Sequence, residues 1–305
     1  MPYLGEISAL ITSLSFAFTA TFFTFAGRMV GSGIVNRTRL LVGLGMLLLA
    51  HLLTQGRLFP QATAEQWFWL TLSGVIGLTL GDAFLFQAFL WIGARLSMLM
   101  MSLAPVLAAL LAWIFLGETL TGGQITGIFL TIGGIAWVIA ERNGTARENA
   151  GPAASQPHPN YKLGLLFGIG AATGQALGLI LSKKGLTQDF PALSGNVIRM
   201  LAATSSIWLF TLYRKQAGET FQHLAAHPRV LPLLLGGAIF GPLIGVSFSL
   251  LAVQKTEVGI ASTLIALTPI FMLPIGAVIF KEKFGWQAIA GTVLAMVGVA
   301  MLFLV

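Results

Sequence analysis

The sequence has no cysteine, and that absence excludes disulfides, iron–sulfur clusters and thiolate metal sites. Charge is nearly as scarce. Only 9% of residues are charged, against about 25% in a soluble domain. Hydrophobic residues make up 56% of the chain, and the mean hydropathy is +0.87. Such a chain cannot cover a soluble surface; it is expected to be an integral membrane protein. Acidic residues are few, and the aspartates are Asp82 and Asp189. An aspartyl-protease dyad needs two carboxylates sharing a proton. TLGD at 79–82 lacks the first glycine of a G-x-G-D motif, and Asp189 falls in a loop. A zinc protease needs H-E-x-x-H, which HLAAH at 223–227 does not supply. No metal site, no cofactor site and no enzyme is read from these residues.

The net charge of +7 would point to nucleic acid in a soluble protein. In a membrane protein it reads as Lys and Arg in loops, where they set orientation and meet anionic lipid. Nucleic acid is therefore not an expected partner; the lipid bilayer is. The start, MPYLGEISAL, has no basic n-region, so the first apolar stretch is expected to be a retained transmembrane helix.

What is present is apolar sequence in long runs. Ten stretches approach the roughly 20 residues that one helical crossing takes: 5–26, 34–54, 67–90, 96–116, 122–141, 162–182, 192–213, 230–253, 258–280 and 286–305. Strands are not expected, because barrel strands alternate over about ten residues and these runs do not. Short connections make neighbouring helices antiparallel. The polar stretch ERNGTARENAGPAASQPHPNYK divides the chain into a first unit, 1–141, a linker, 142–161, and a second unit, 162–305.

The two units repeat each other. Shifted by 164 residues, MSLAPVLAALLAWIFLGETLTGGQITG falls on IALTPIFMLPIGAVIFKEKFGWQAIAG without a gap. Gly77, Gly81, Pro105, Glu118, Gly127 and Gly134 meet Gly241, Gly245, Pro269, Glu282, Gly291 and Gly298. A duplicated unit with five crossings must be inserted upside down in its second copy. The expected fold is thus all-α, with ten transmembrane helices in two inverted five-helix repeats. Inverted repeats are a recurrent architecture of secondary transporters, with the substrate site between them near the midplane.

These residues resemble a known family. Ten spans in two halves, an arginine early in each second helix (Arg39 in NRTRLLVGLG, Arg199 in NVIRMLAAT), and the paired LAPVLAALLAWIFLGETLTGGQITGIFLTIGG and LTPIFMLPIGAVIFKEKFGWQAIAGTVLAMVGVAM are similar to EamA-type members of the drug/metabolite transporter superfamily. The resemblance covers nearly the whole chain and is clearest over 73–140 and 237–305. It implies a multi-pass protein of the cytoplasmic membrane that exports or exchanges amino acids or other small metabolites, proton-linked or facilitative. A drug exporter, a sugar or nucleotide-sugar carrier, a facilitative channel and a non-transporting scaffold stay open as alternatives. A monomer is compatible with the sequence.

The resemblance implies cytoplasmic termini, and the charges disagree. Loops 1–2, 3–4, 7–8, 9–10 and the linker carry eleven Lys and Arg: Arg28, Arg37, Arg95, Arg142, Arg147, Lys162, Arg214, Lys215, Arg229, Lys281 and Lys283. The opposite loops carry Arg57, Lys183, Lys184 and Lys255. By the positive-inside rule this places the linker in the cytoplasm and the termini outside.

Asp82 lies within an apolar run, where a charge costs at least ~2.5 kcal/mol on insertion scales. Arg39 is at matching depth in the antiparallel second span, so the two can pair; Asp82 then reads as part of a structural bridge, as a backbone-bonded carboxylate, or as a proton-coupling or substrate-amine site. In the second unit, Val246 aligns with Asp82, leaving Arg199 without a carboxylate at the matching place. Arg199, with Asn196 one turn earlier, is therefore a candidate for an anionic substrate group, although it can also reach the interface and stay hydrated. Gln87 and Gln175 are polar path candidates. Phe86 and Phe89, at i+4 and i+7, share the face of Asp82. Pro105 and Pro269 are expected to kink or start their helices and are candidate hinges. Glu118 and Glu282 are expected at helix ends near water.

Overall fold

A computed structural model describes residues 3–116, 121–148, 159–186, 190–256, 258–281 and 285–304. Glu118, Glu282, Asp189 and residues 149–158 of the expected linker lie outside the described residues. The described chain runs as α1 (Leu4–Val30), α2 (Ser32–Gln55), α3 (Ala64–Trp91), α4 in two pieces (Ala94–Met101 and Leu103–Leu116), α5 (Gly122–Glu148), α6 (Tyr161–Gly185), α7 (Ala192–Tyr213), α8 (Val230–Lys255), α9 in two pieces (Val258–Ile265 and Thr268–Val278) and α10 (Trp286–Leu304). A short helix, Ala217–Ala226, lies between α7 and α8. Among the described residues, eight helices are long and apolar enough to cross a membrane; α7, with its polar residues, and the shorter α10 fall outside that set. Helix α5 continues past the expected end at 141 to Glu148. A helix satisfies its own backbone hydrogen bonds, so it can leave the hydrocarbon without a turn.

The expected fourth and ninth spans are broken, each at the same place in its unit. Helix α4 turns at Ser102 just before Pro105, and α9 turns at Ala266–Leu267 just before Pro269. Proline lacks a donor and suits the first turn of a helix, where no intrahelical acceptor is lost. Both prolines thus start the second piece of their helix.

The third helix of each unit widens into π-helical turns, at Gly74–Gly81 in α3 and Ile239–Val246 in α8. Widened turns set backbone carbonyls aside for other donors and are frequent at functional sites.

Packing across the units is reciprocal. Helix α1 packs on α8 and α9, α6 packs on α3 and α4, α2 lies against α7, and α5 against α10. Glycines permit two of these crossings. A Cβ on Gly174 would stand 2.7 Å from the Gly81 Cα, and one on Gly178 would stand 3.0 Å from the Gly77 Cα. At the α5–α10 crossing, a Cβ on Gly134 would come within 2.6 Å of the Gly291 carbonyl oxygen, and one on Gly127 within 2.6 Å of that of Gly298. Without a hydrophobic drive between helices in lipid, such close backbone approach is a main source of association.

Candidate substrate path

A cavity of about 580 Å³ lies between α4, α6, α8 and α9. Its walls are mostly apolar, with Phe16, Met98, Met101, Leu179, Val253 and Ile265 among them. Ser102, Gln124, Gln175, Ser249, Ser262 and Thr268 add polar points. The breaks of α4 and α9 face it, and both Pro105 and Pro269 line it. Lys183 and Lys184, exposed at the last turn of α6, mark its mouth on the side of the 6–7 loop.

A smaller space of about 80 Å³ adjoins its inner end, sharing Phe16, Met98, Met101, Gln175, Leu179 and Ser249. It is lined by Arg39, Asp82, Arg199, Phe86 and Phe89. Five expected site residues and Gln175 therefore come together along one path. Arg39 and Asp82 form an ion pair, which their matched depths allow. The Arg39 Nη2 also donates to the Leu78 carbonyl at 3.1 Å, and its Nε donates to Asn36 Oδ1 at 3.1 Å. Its guanidinium lies 4.7 Å from the centroid of the Phe86 ring, a cation–π arrangement that further offsets burial.

Beyond this layer the path is closed. Phe86 packs edge-on against Phe23 at 5.2 Å and lies 5.6 Å from Phe89, inside a buried cluster with Val30, Ile34, Val35 and Met98. Phe25 stacks on Phe280 at 5.0 Å, and the Arg28 guanidinium lies 5.9 and 5.6 Å from those two rings. The cavity is thus open at one end and sealed at the other.

Two expected site residues are placed differently. Gln87 does not line either space; its Oε1 accepts from the Ser32 hydroxyl at 2.5 Å, tying α3 to the start of α2. Five residues after Asp82, at 100° per residue, Gln87 points about 140° away from it. Asn196 donates through Nδ2 to the Pro242 carbonyl at 2.9 Å and to Ser247 Oγ at 3.0 Å. It therefore braces the π-helical turns of α8, away from the path lining.

Arg199 is 4% exposed and its Nε has no hydrogen-bond partner. Its main chain lies against Gly74, and its Nη2 reaches the space over Gly77, where a Cβ would come within 3.5 Å. Two features of the site were missed from the sequence. One is N-x-x-R, present as Asn36–Arg39 and again as Asn196–Arg199, which reads directly from the second helices. The other is the lysine pair at the mouth, whose place depends on where the cavity opens.

The fold and the site together define a multi-pass, all-α membrane protein with a cavity leading from one end to a buried charge cluster. The chain matches the EamA-like transporter family over residues 3–140 and again over 162–304, and it belongs to that family. It is thus a membrane transporter of the drug/metabolite superfamily and not an enzyme. No curated protein matches it. A solved structure titled "Crystal structure of protein" is similar in fold, with a TM-score of 0.64 at 16% identity, covering 98% of this chain and 96% of that one.

Proposed function

We propose that this transporter moves small metabolites, amino acids or related compounds, outward or in exchange across the cytoplasmic membrane by alternating access. The observation that carries the reading is a path with a cavity open at one end, an Asp82–Arg39–Arg199 layer at its base, and an aromatic seal beyond. A channel would need a route past that seal; a carrier needs the seal to open when the mouth closes. In this reading all ten helices cross the membrane, and residues 1–141 and 162–305 are inverted repeats that exchange conformations. The reciprocal packing, the paired π-helical turns and the paired helix breaks support it. Pro105 and Pro269, each just past a break on the cavity wall, act as the hinges. Asp82 is the coupling residue: loosening its pair with Arg39 leaves a buried carboxylate that a proton neutralises. Gln175, where the two spaces meet, contacts the substrate.

The test is untargeted metabolite profiling of medium from cells producing the wild type, Asp82→Asn, or no transporter. Accumulation of one metabolite class with the wild type alone supports export with Asp82 in the mechanism. Equal accumulation with both proteins keeps the carrier and removes Asp82 from coupling. No change at verified expression contradicts export.

A further inference from the structure

We infer that the substrate is an amphiphilic anion, a carboxylate on a bulky apolar body, with Arg199 as the residue that receives its charged end. The inference rests on the transporter reading and, within small metabolites, moves the preferred substrate from amino acids to related carboxylates that lack the amine.

The first support is a broken symmetry. In α3, the Leu78 carbonyl is bonded by Arg39, the last residue of the first N-x-x-R. In α8, the matching carbonyl, Pro242, is bonded by Asn196, the first residue of the second N-x-x-R. The same backbone position is thus satisfied by different members of the motif. Arg39 is consumed by Leu78, Asn36 and Asp82, whereas Asn196 relieves Arg199 of the equivalent duty. The guanidinium of Arg199 lines the smaller space with its Nε unpartnered and with Val246 where its own carboxylate would stand. A buried donor without an acceptor costs free energy, and a ligand carboxylate held by two parallel N–H···O bonds would recover it.

The second support is the charge along the path. The ionisable residues lining the two spaces are Lys183, Lys184, Arg39, Arg199 and Asp82. Asp82 is already paired with Arg39, so among the described lining residues no carboxylate is left for an ammonium group. A cation would meet two buried guanidinium groups, and the amine of a zwitterion would have to take Asp82 from Arg39. An anion meets lysines at the mouth, which concentrate it there, and at the base an arginine that shares the field of Asp82 but whose Nε has no hydrogen-bond partner. Lys184 is held in place by the Trp69 ring, 4.6 Å from its Nζ.

The third support is the wall. Phe16, Met98, Met101, Leu179, Val253 and Ile265 offer an apolar surface with few polar points, suited to a hydrocarbon body and poor for a sugar. A volume of about 580 Å³ is within the usual range for small-molecule sites, about 300–1,000 Å³.

A matched trio tests the inference: 3-phenylpropionate, phenylalanine and phenethylamine share one apolar body and differ in charge. Binding is read as the saturable rise in thermal-unfolding temperature of the purified full chain in detergent. Transport is read as protein-dependent counterflow in liposomes against protein-free controls. The expected order is 3-phenylpropionate first, phenylalanine at least tenfold weaker, and phenethylamine without effect. Arg199→Gln is expected to weaken 3-phenylpropionate binding at least tenfold, and Arg199→Lys less. Should Arg199→Gln fail to fold, Lys183→Gln/Lys184→Gln at the exposed mouth serves instead. It should slow 3-phenylpropionate entry severalfold at low salt, with the difference lost at high salt. A preference for phenethylamine or phenylalanine, no shift with any of the three, or unchanged binding in folded Arg199→Gln would overturn the inference. Flux of the amine or the zwitterion would leave the transporter reading standing while removing the anion. Binding of the anion without any flux would do the reverse.

Discussion

Arg39 and Asp82, 43 residues apart in the chain, close an ion pair between α2 and α3 at the base of the cavity, with side chains 4% and 16% exposed. The pair explains how a carboxylate is tolerated in an apolar run, and its two halves depend on each other. Removing one partner of a buried pair leaves an uncompensated charge and costs about 3–5 kcal/mol. Asp82→Asn should therefore lower the thermal-unfolding temperature of the purified protein. Asp82→Asn combined with Arg39→Gln should recover much of that loss, because no charge is stranded. If Asp82 couples transport, flux should stay low in the double variant. Restored stability with restored flux would leave the pair a structural bridge.

Helices α5 and α10 touch through glycine. At Gly134 a Cβ would stand 2.5 Å from the Ala295 amide nitrogen, which only a shift of the helix can relieve. Gly134→Leu should thus lower the unfolding temperature by several degrees or prevent folding, while Gly133→Leu, one residue away with nothing within 4 Å, should be tolerated. Equal behaviour of the two would contradict the close crossing.

The two prolines begin the second pieces of the broken helices, where neither removes an intrahelical hydrogen bond. Pro105→Ala and Pro269→Ala are therefore expected to change thermal stability by less than about 1 kcal/mol. If the breaks are hinges, flux falls severalfold in each. Full flux in both variants would take the hinges away.

Much of this site was legible because membrane insertion ties sequence position to depth. Arg39 and Asp82 could be matched by counting from opposite ends of antiparallel helices, and the prolines and glycines could be matched by sliding one unit over the other. Phe86 and Phe89 followed from helical period. Asn196 and Gln87 did not, for different reasons. Asn196 serves a carbonyl in π-helical turns, and a slip in hydrogen-bond register leaves no compositional mark. Gln87 reads as a path residue by its polarity alone, although its angle from Asp82 turns it toward another helix. The shared N-x-x-R was hidden because the second helices align at a shift of 160 residues, whereas the later helices align at 164. The breaks of α4 and α9 were foreshadowed by their prolines, but an X-Pro step reads equally as a kink or a start.

Orientation separates the charge pattern from the family resemblance. Gln61, between α2 and α3, and Gly218, in the short helix after α7, are both exposed and are expected on opposite sides. With no native cysteine, a membrane-impermeant maleimide reports on one introduced thiol at a time. The charge pattern predicts that Gln61→Cys labels in intact cells and Gly218→Cys only after permeabilisation. The reverse would put the termini in the cytoplasm.

Alternating access requires that the sealed end open, and the Phe25–Phe280 stack lies at that end. The direct measurement is flux through Phe25→Cys/Phe280→Cys before and after a short bifunctional thiol cross-linker that a reductant cleaves. The substrate is whichever metabolite the profiling identifies. A carrier should lose its flux on cross-linking and regain it on reduction, while Ser262→Cys, on the open cavity wall, stays reactive throughout. Undiminished flux through the cross-linked protein would mean that the seal never has to open, and alternating access at this site would be wrong.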